Sequence, residues 1–371
     1  MSGPHVLVDG LVLKAPMGGA LRYALGTLPR CASLLHARAG RLSVLLAESE
    51  RDQGWVQALL SQEHLHVTFV DAPMHPALRR ALRETHAVQK WIENSSQQGH
   101  PVHVVQTQSL PIPRLRFEGH QVHLCHGLRR QESGPVLVRQ FATALLNKGV
   151  RDLHSLLAVS QTLTDNLQTR FADLPVQCAA PACDQRTRLP RNPDAGPFVL
   201  CPGPIVAHKN HALLVEAWGL DSRLPPLRLH AQQNPAARAL QSRIQQLGLQ
   251  ERITWHAALD EDTWPAALAT CAAVVLPSRL ESFGMVALET LYAGAPLALS
   301  DLPSHQEVVG SARHAVAFFS SDNARQCAAA IQLAIDQSDA EPQNQRQRRS
   351  QDFAWNHTAQ ITVDHWCATL Q

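Results

Sequence analysis

Residues 273–299 read AVVLPSRLESFGMVALETLYAGAPLAL. Four apolar residues, 273–276, end at Pro277. A loop follows, helical periodicity occupies 284–293, and a second short apolar run fills 296–299. Two runs of β-formers joined by a helix of about ten residues predict a βαβ crossover, and therefore a parallel sheet.

Outward from that unit the alternation continues. Strand 197–201 (PFVLC) precedes helix 209–219, strand 226–230 precedes helix 234–246, and strand 252–255 precedes helix 261–271. In the first half, strands are expected at 5–13, 42–47, 67–70, 102–106, 121–125 and 154–159, with helices including 77–94 and 136–149. Segment 185–196 (QRTRLPRNPDAG) is polar, holds two prolines and lacks periodicity, which reads as a linker. The expected architecture is α/β: two doubly wound Rossmann-like domains, 1–184 and 197–350, facing across a cleft. Ligands in such sheets bind at the carboxyl ends of the strands.

The 371 residues are 45% hydrophobic and 17% charged, enough apolar material for two cores and unlike a disordered chain. Lys+Arg 33 against Asp+Glu 31 gives a net charge of +2, which argues against nucleic-acid binding by charge alone. The 20 histidines are scattered and mark no obvious switch. No stretch approaches the roughly 18–20 apolar residues of a spanning helix. The opening MSGPHVLVDGLVLKAP lacks a basic region and reads poorly as a signal peptide. Of eight cysteines only Cys178 and Cys183 are close, with no second pair for a zinc site. A reduced, cytoplasmic protein is the expectation.

Glu281 falls in the loop before helix 284–293 and Glu289 in that helix. The amides near Phe283, Gly284 and Met285 would be unpaired donors at the helix start, an anion site that a phosphate can approach closely at Gly284. Eight residues along a helix span about 12 Å at most. That separation suits one carboxylate at a sugar and one at a ribose, with a diphosphate between. The plainer alternative makes Ser282 an N-cap, Glu281 a surface charge and Glu289 a solvated helix residue. A glycosidase pair fits poorly, because its carboxyls stand roughly 5–9.5 Å apart across one bond. Asp260-Glu261-Asp262 reads as a cap and first-turn acids of helix 261–271 rather than as metal ligands.

The stretch 276–296 closely resembles the E-x7-E signature of retaining, GT-B-fold glycosyltransferases of family four. The resemblance covers most of the C-terminal half: PFVLCPGPIVAHKNHALLVEAW (197–218), LSDLPSHQEVVG (299–310) and HAVAFFSSDNARQCAAAI (314–331) resemble that family's successive segments. FAWNHTAQITVDHW (353–366) resembles its last helix, implying that 351–371 crosses back to the first domain. The first half matches more loosely, through APMGGALRYAL (15–25), VHLCHGLR (122–129) and AVSQTLTDNL (158–167).

Carried over residue by residue, the resemblance makes Glu281 the donor-sugar contact and Glu289 the ribose acceptor. Ser282 and the amides of Phe283, Gly284 and Met285 would hold sugar and diphosphate, and Lys209 would clamp the phosphates. Gly203 is a close-approach position. Gly18 and Gly19, which follow Pro16, would approach donor phosphate or acceptor, and the plain alternative is a tight turn. His126 would contact the donor sugar, where the plain alternative is a structural hydrogen bond. The implied reaction moves a sugar from a nucleotide-diphosphate sugar to a saccharide or lipid-linked acceptor with retention, with no metal or other cofactor, in polysaccharide or glycolipid synthesis. One departure stands out: the family usually has Gly-Arg where this chain has Gly203-Pro204, and Pro supplies neither cation nor N–H. His208 is a candidate substitute. Rival readings are a nucleotide-sugar epimerase of the same fold and a degenerate sugar-nucleotide-binding protein. Basic residues in 79–90 (RRALRETHAVQK) read first as a solvated helix face, and second as a peripheral contact with the cytoplasmic face of a membrane.

Overall fold

The computed structural model of the chain describes residues 3–14, 18–71, 77–132, 134–183, 188–192, 197–231, 234–260, 262–368 and 370. The chain forms two compact units, one of residues 1–182 with 354–371 and one of residues 183–353. Most of the 185–196 linker lies outside the described residues.

The first unit runs β1 (His5–Asp9), α1 (Gly19–Ala37), β2 (Arg41–Ala47), α2 (Gly54–Leu60), β3 (Leu65–Val70), α3 (Ala77–Gln97), β4 (Val104–Thr107), β5 (His120–Cys125), α4 (Arg129–Glu132), α5 (Val136–Val150), β6 (Ser155–Ala158), α6 (Gln161–Arg170) and β7 (Val176–Cys178). Its sheet has the order β3-β2-β1-β4-β5-β6-β7, and every pairing is parallel. Strands β1, β4 and β6 are buried throughout, which is why they read as unbroken apolar runs rather than alternating ones. Leu7, Leu45 and Val105 from neighbouring strands meet Val88 and Ile92 of α3 in one core.

The expected strand 5–13 stops at Asp9. Gly10 donates its N–H to the Leu45 carbonyl at 2.9 Å, Leu11 N–H turns back to Asp9 Oδ1 at 3.1 Å, and Leu11 and Leu13 are buried as a turn. An apolar run records burial, and burial alone does not make a strand. The seventh strand, β7, adds an edge that three residues of weak pattern did not announce.

The second unit runs β8 (Val199–Pro202), α7 (His211–Leu220), β9 (Leu227–His230), α8 (Pro235–Gln246), β10 (Ile253–His256), α9 (Thr263–Thr270), β11 (Ala273–Leu276), α10 (Met285–Ala293), β12 (Leu297–Ser300), α11 (Pro303–Val309), β13 (Ala317–Phe319), α12 (Ala324–Asp336) and α13 (Ala340–Ser350). The order β10-β9-β8-β11-β12-β13 is again all parallel. Its core packs Leu214 and Trp218 of α7 with Val275, Phe319 and Ile331. α9 starts at Thr263, later than expected, so its first turn holds no acid and its cap residue Asp262 makes no side-chain cap bond. Asp260 Oδ1 accepts the Thr263 N–H at 2.8 Å from just outside the helix, and Glu261 lies outside the described residues. Both sheets are doubly wound, as the alternation of strand and helix predicts.

The last helix, α14 (Trp355–Ala368), belongs to the first unit. It lies on α1, where a Cβ on Gly26 would collide with the Trp355 ring. Trp366 donates its indole N–H to Gln106 Oε1 at 3.0 Å, and Thr358 Oγ1 donates to the Ala180 carbonyl at 2.6 Å.

Candidate functional site

In the second unit the residues singled out from the sequence gather at the carboxyl ends of β8, β11 and β12. After β11, Pro277 ends the strand and the chain reaches α10 through Gly284, which caps the helix with φ 109° and ψ 54°. That left-handed conformation favours glycine, and a Cβ there would also lie 3.3 Å from His305 Cδ2. Ser282 is therefore not the N-cap residue; Gly284 is, and it makes no side-chain cap bond. The first bond from the cap is Leu288 N–H to the Gly284 carbonyl at 3.1 Å, so the amides of Met285, Val286 and Ala287 precede the helical ladder. Amides at a helix start are suited to an anion. Phe283 is buried and meets the Phe353 ring edge to face at 5.5 Å, so its side chain anchors the loop.

Lys209 sits in a single turn, 207–209, and not inside α7 as expected. Asn210 adopts φ 55° and ψ 37° and delays the helix to His211. Its side-chain amide donates to the carbonyls of Pro277 (3.1 Å) and Ser321 (2.7 Å), while Arg279 N–H donates to the His208 carbonyl at 2.7 Å. These bonds staple the Lys209 turn to the Glu281 loop.

The result is direct contact: Lys209 Nζ donates to Glu281 Oε1 at 2.6 Å, with the two side chains 25% and 16% exposed. Ser278 Oγ donates to the same oxygen at 2.7 Å. Behind it, Ser300 Oγ donates to the Ser278 carbonyl at 2.5 Å, and His305 Nδ1 lies 2.8 Å from the Ser300 carbonyl. Burial alone would push the Glu281 carboxyl up. The Lys209 ammonium and the Ser278 hydroxyl overcome it and hold the group below the ordinary carboxylate value. Burial lowers the His305 imidazole, against the opposing pull of Glu281. Glu281 is thus a largely buried carboxylate held by Lys209 and Ser278, which removes the surface-charge alternative.

Glu289 is 2% exposed, so it is no solvated helix residue. Ser282 and Met285 are half-buried on the same loop and first turn. Gly203, after β8, has φ 115°, and a Cβ there would meet nothing within 4 Å. Its N–H donates to the His230 carbonyl at 3.0 Å, and Pro204 beside it is exposed. At the ends of β9 and β10 the rings of His230 and His256 stack 4.9 Å apart.

In the first unit, Gly18 caps α1 at φ −106° and Gly19 begins it. Neither conformation requires glycine, yet a Cβ at either would enter open space, so both backbones lie open to an approaching group. Pro16 lies outside the described residues. His126 follows β5; its Nε2 lies 3.1 Å from Gln108 Oε1, and its ring stands edge-on to Tyr23 at 5.5 Å. Gln108 Nε2 donates in turn to the Asp9 carbonyl at 3.0 Å, a network that assigns the proton to His126 Nε2. Burial lowers the His126 pKa to about 4, so the ring is neutral at pH 7. Of the basic residues in 79–90, Arg83 and Lys90 are exposed on α3, while the side chains of 79 and 80 lie outside the described residues.

Ser278, Ser300, His305 and Asn210 escaped the sequence reading. Small polar residues at strand ends carry no periodic signal. Only Ser278, three residues before Glu281, stood close enough in sequence to be suspected.

Residues 186–352 match the family of glycosyl transferases group 1. A mannosylfructose-phosphate synthase of Agrobacterium fabrum is 27% identical over 131 residues, covering 33% of this chain and 29% of that protein. A D-inositol 3-phosphate glycosyltransferase of an Arthrobacter species is 25% identical over 251 residues, covering 65% and 59%. The matched parts therefore span less than two thirds of these relatives. The crystal structure of Anabaena Alr3699/HepE in complex with UDP-glucose superimposes with TM-score 0.73 at 16% identity, covering 98% of this chain and 99% of that one. That likeness establishes the fold, the two parallel-sheet α/β units of GT-B glycosyltransferases.

Proposed function

We propose that this chain is a retaining glycosyltransferase that moves a sugar from a nucleoside diphosphate sugar to an acceptor hydroxyl, and that it needs no metal. The observation that carries the reading is the Lys209–Glu281 pair at 2.6 Å beside the start of α10 at Gly284. One cation and a row of amides suit a diphosphate, and a carboxylate held ionised beside them suits sugar hydroxyls. Glu289 is assigned to the ribose diol. The family match over residues 186–352 supports the assignment, as does the UDP-glucose bound by the Anabaena protein of the same fold.

In the proposed step the bond between the anomeric carbon and the β-phosphate oxygen breaks, leaving positive charge on the sugar and negative charge on the diphosphate. Lys209 and the helix start stabilise the leaving group. The acceptor oxygen bonds to the same face of the anomeric carbon, and its proton passes to the departing phosphate oxygen. In the first unit, Gly18 and Gly19 are assigned to donor phosphate or acceptor, and His126, a neutral imidazole, to a sugar hydroxyl. The acceptor class is a saccharide or a lipid-linked saccharide, as in polysaccharide or glycolipid synthesis.

The test is incubation with UDP-, GDP- and ADP-sugars and a panel of saccharide acceptors, with products followed by NMR. A new glycosidic bond with the donor's anomeric configuration, undiminished in EDTA, is expected. An inverted product refutes retention, a metal-reversible loss in EDTA refutes metal independence, and epimerised donor without transfer refutes the reaction class.

A further inference from the structure

We propose that Glu281 exchanges its counter-cation when a nucleotide sugar binds: Lys209 in the free chain and, in the complex, His305, which takes a proton from solvent at Nε2 as Lys209 turns to the diphosphate. The inference rests on the donor site proposed above and adds to it a positioning residue that acts through Glu281. His305, in the first turn of α11, is fully buried. Its Nδ1 lies 2.8 Å from the Ser300 carbonyl, an oxygen that only accepts, so the ring carries its proton there and Nε2 holds a lone pair. The Ser300 hydroxyl, 3.3 Å from Nδ1, gives its own proton to the Ser278 carbonyl and does not compete. Among the described residues Nε2 has no hydrogen-bond partner. A buried acceptor left unpaired costs stability, so its retention calls for a reason.

The position of the ring supplies one. A Cβ on Gly284 would stand 3.3 Å from His305 Cδ2 and 3.8 Å from Nε2, so the imidazole packs against the start of α10, where the amides precede the helical ladder. Two charges act on it in opposite senses: the Glu281 carboxylate, from the loop after β11, favours the imidazolium, and the Lys209 ammonium, from the turn after β8, resists it. While Lys209 stays paired to Glu281 at 2.6 Å, burial and the ammonium keep the ring neutral. Asp301, beside β12, is exposed and accepts from Gln306 Nε2 at 2.5 Å. Glu307 on α11 and Glu289 on α10 are the other acids of these elements, and Arg349 reaches α11 at the carbonyls of Glu307 (2.6 Å) and Val308 (2.9 Å). A diphosphate brings negative charge to the α10 amides and draws the Lys209 cation off Glu281. Both changes favour the imidazolium. With no replacement cation, the largely buried Glu281 would itself gain a proton and lose acceptor capacity toward sugar hydroxyls. Protonation of His305 keeps Glu281 ionised in the complex. By linkage, a group whose proton affinity rises on binding takes up protons as the ligand binds.

The test is calorimetry of UDP-glucose, GDP-mannose and ADP-glucose binding at about pH 6.5, in buffers of different ionisation enthalpy, which counts the protons moved. A diphosphate esterified at both ends has no group of its own that titrates near neutrality, so the count belongs to the protein. Wild type is expected to take up a fraction of a proton with whichever nucleotide sugar it binds. His305→Asn keeps an amide that can donate to the Ser300 carbonyl but cannot take a proton, and is expected to take up none. A second measurement needs no variant to fold: in nitrogen NMR of wild type with labelled histidine, one imidazole Nε2 should move from the lone-pair to the N–H position when that nucleotide sugar is added. A wild-type count of zero, equal counts in wild type and the folded variant, or no Nε2 resonance that moves would each overturn the exchange and leave the donor site standing. Failure of wild type to bind any of the three nucleotide sugars would refute the donor site, and the exchange with it.

Discussion

The substitution Glu281→Gln should separate binding of the leaving group from turnover. With Lys209 Nζ 2.6 Å from Glu281 Oε1, a diphosphate entering the site must share or displace a partner already in place. At an effective dielectric near 20, unit charges at that separation attract by about 6 kcal/mol before desolvation is subtracted. The lysine is 25% and the carboxylate 16% exposed, so the pair is neither a solvated surface contact nor a fully dry one. A net worth of about 1–3 kcal/mol follows, the range of a charge-assisted hydrogen bond. The amide of the variant keeps the shape and the Ser278 bond but removes both the competing anion and its repulsion toward phosphate. Free nucleoside diphosphate should therefore bind about 5–150-fold more tightly. Donor turnover should fall, because the sugar hydroxyls lose an ionised acceptor. Calorimetry with UDP, GDP and ADP, beside a donor-consumption assay, measures both. Unchanged or weaker affinity for every diphosphate, in a variant that folds, would refute the idea that Glu281 holds Lys209 in reserve.

Three further outcomes are expected. Gly284→Ala forces a side chain into φ 109° and against His305, and should lower stability by about 1–3 kcal/mol in urea denaturation; no change would mean the helix start relaxes freely. Pro204→Arg places a cation on an exposed loop position beside open space at Gly203, and should tighten diphosphate binding by about 1–3 kcal/mol; calorimetry showing no gain would mean that His208 or Arg279 already fills the role. Acidification should destabilise the fold. Burial lowers His5, His211 and His365 to about 4 and His123 to about 3, so the native state favours the neutral rings. Their contribution is complete above the unfolded pKa of 6.5 and is lost as pH falls toward 4, at up to about 1.4 kcal/mol per pH unit for each ring. A urea midpoint independent of pH between 7.5 and 5 would contradict this.

The 20 histidines looked scattered in the sequence, and only burial separates those whose protonation opposes folding, His126 among them. Burial is a tertiary property, and no local pattern reports it for a single polar residue. What the sequence determined by itself was the alternation of strand and helix, which local repetition governs. Strand 273–276 and the helix after Gly284 were legible because a parallel-sheet strand is buried on both faces and a helix start has its own local chemistry. The alternation of such segments fixed two doubly wound sheets. The tertiary structure decided the rest. Lys209 and Glu281 are 72 residues apart and meet only because β8 and β11 are neighbours, an order that follows from crossover packing. Asn210 turns left-handed there because its amide reaches the carbonyls of Pro277 and Ser321, partners that exist only once β11 and β13 are in place. The α1–α14 pairing joins the two ends of the chain around Gly26 and Trp355, a fit set by shape. Periodicity is read within a window of a few turns, whereas a site depends on which windows the sheet brings side by side.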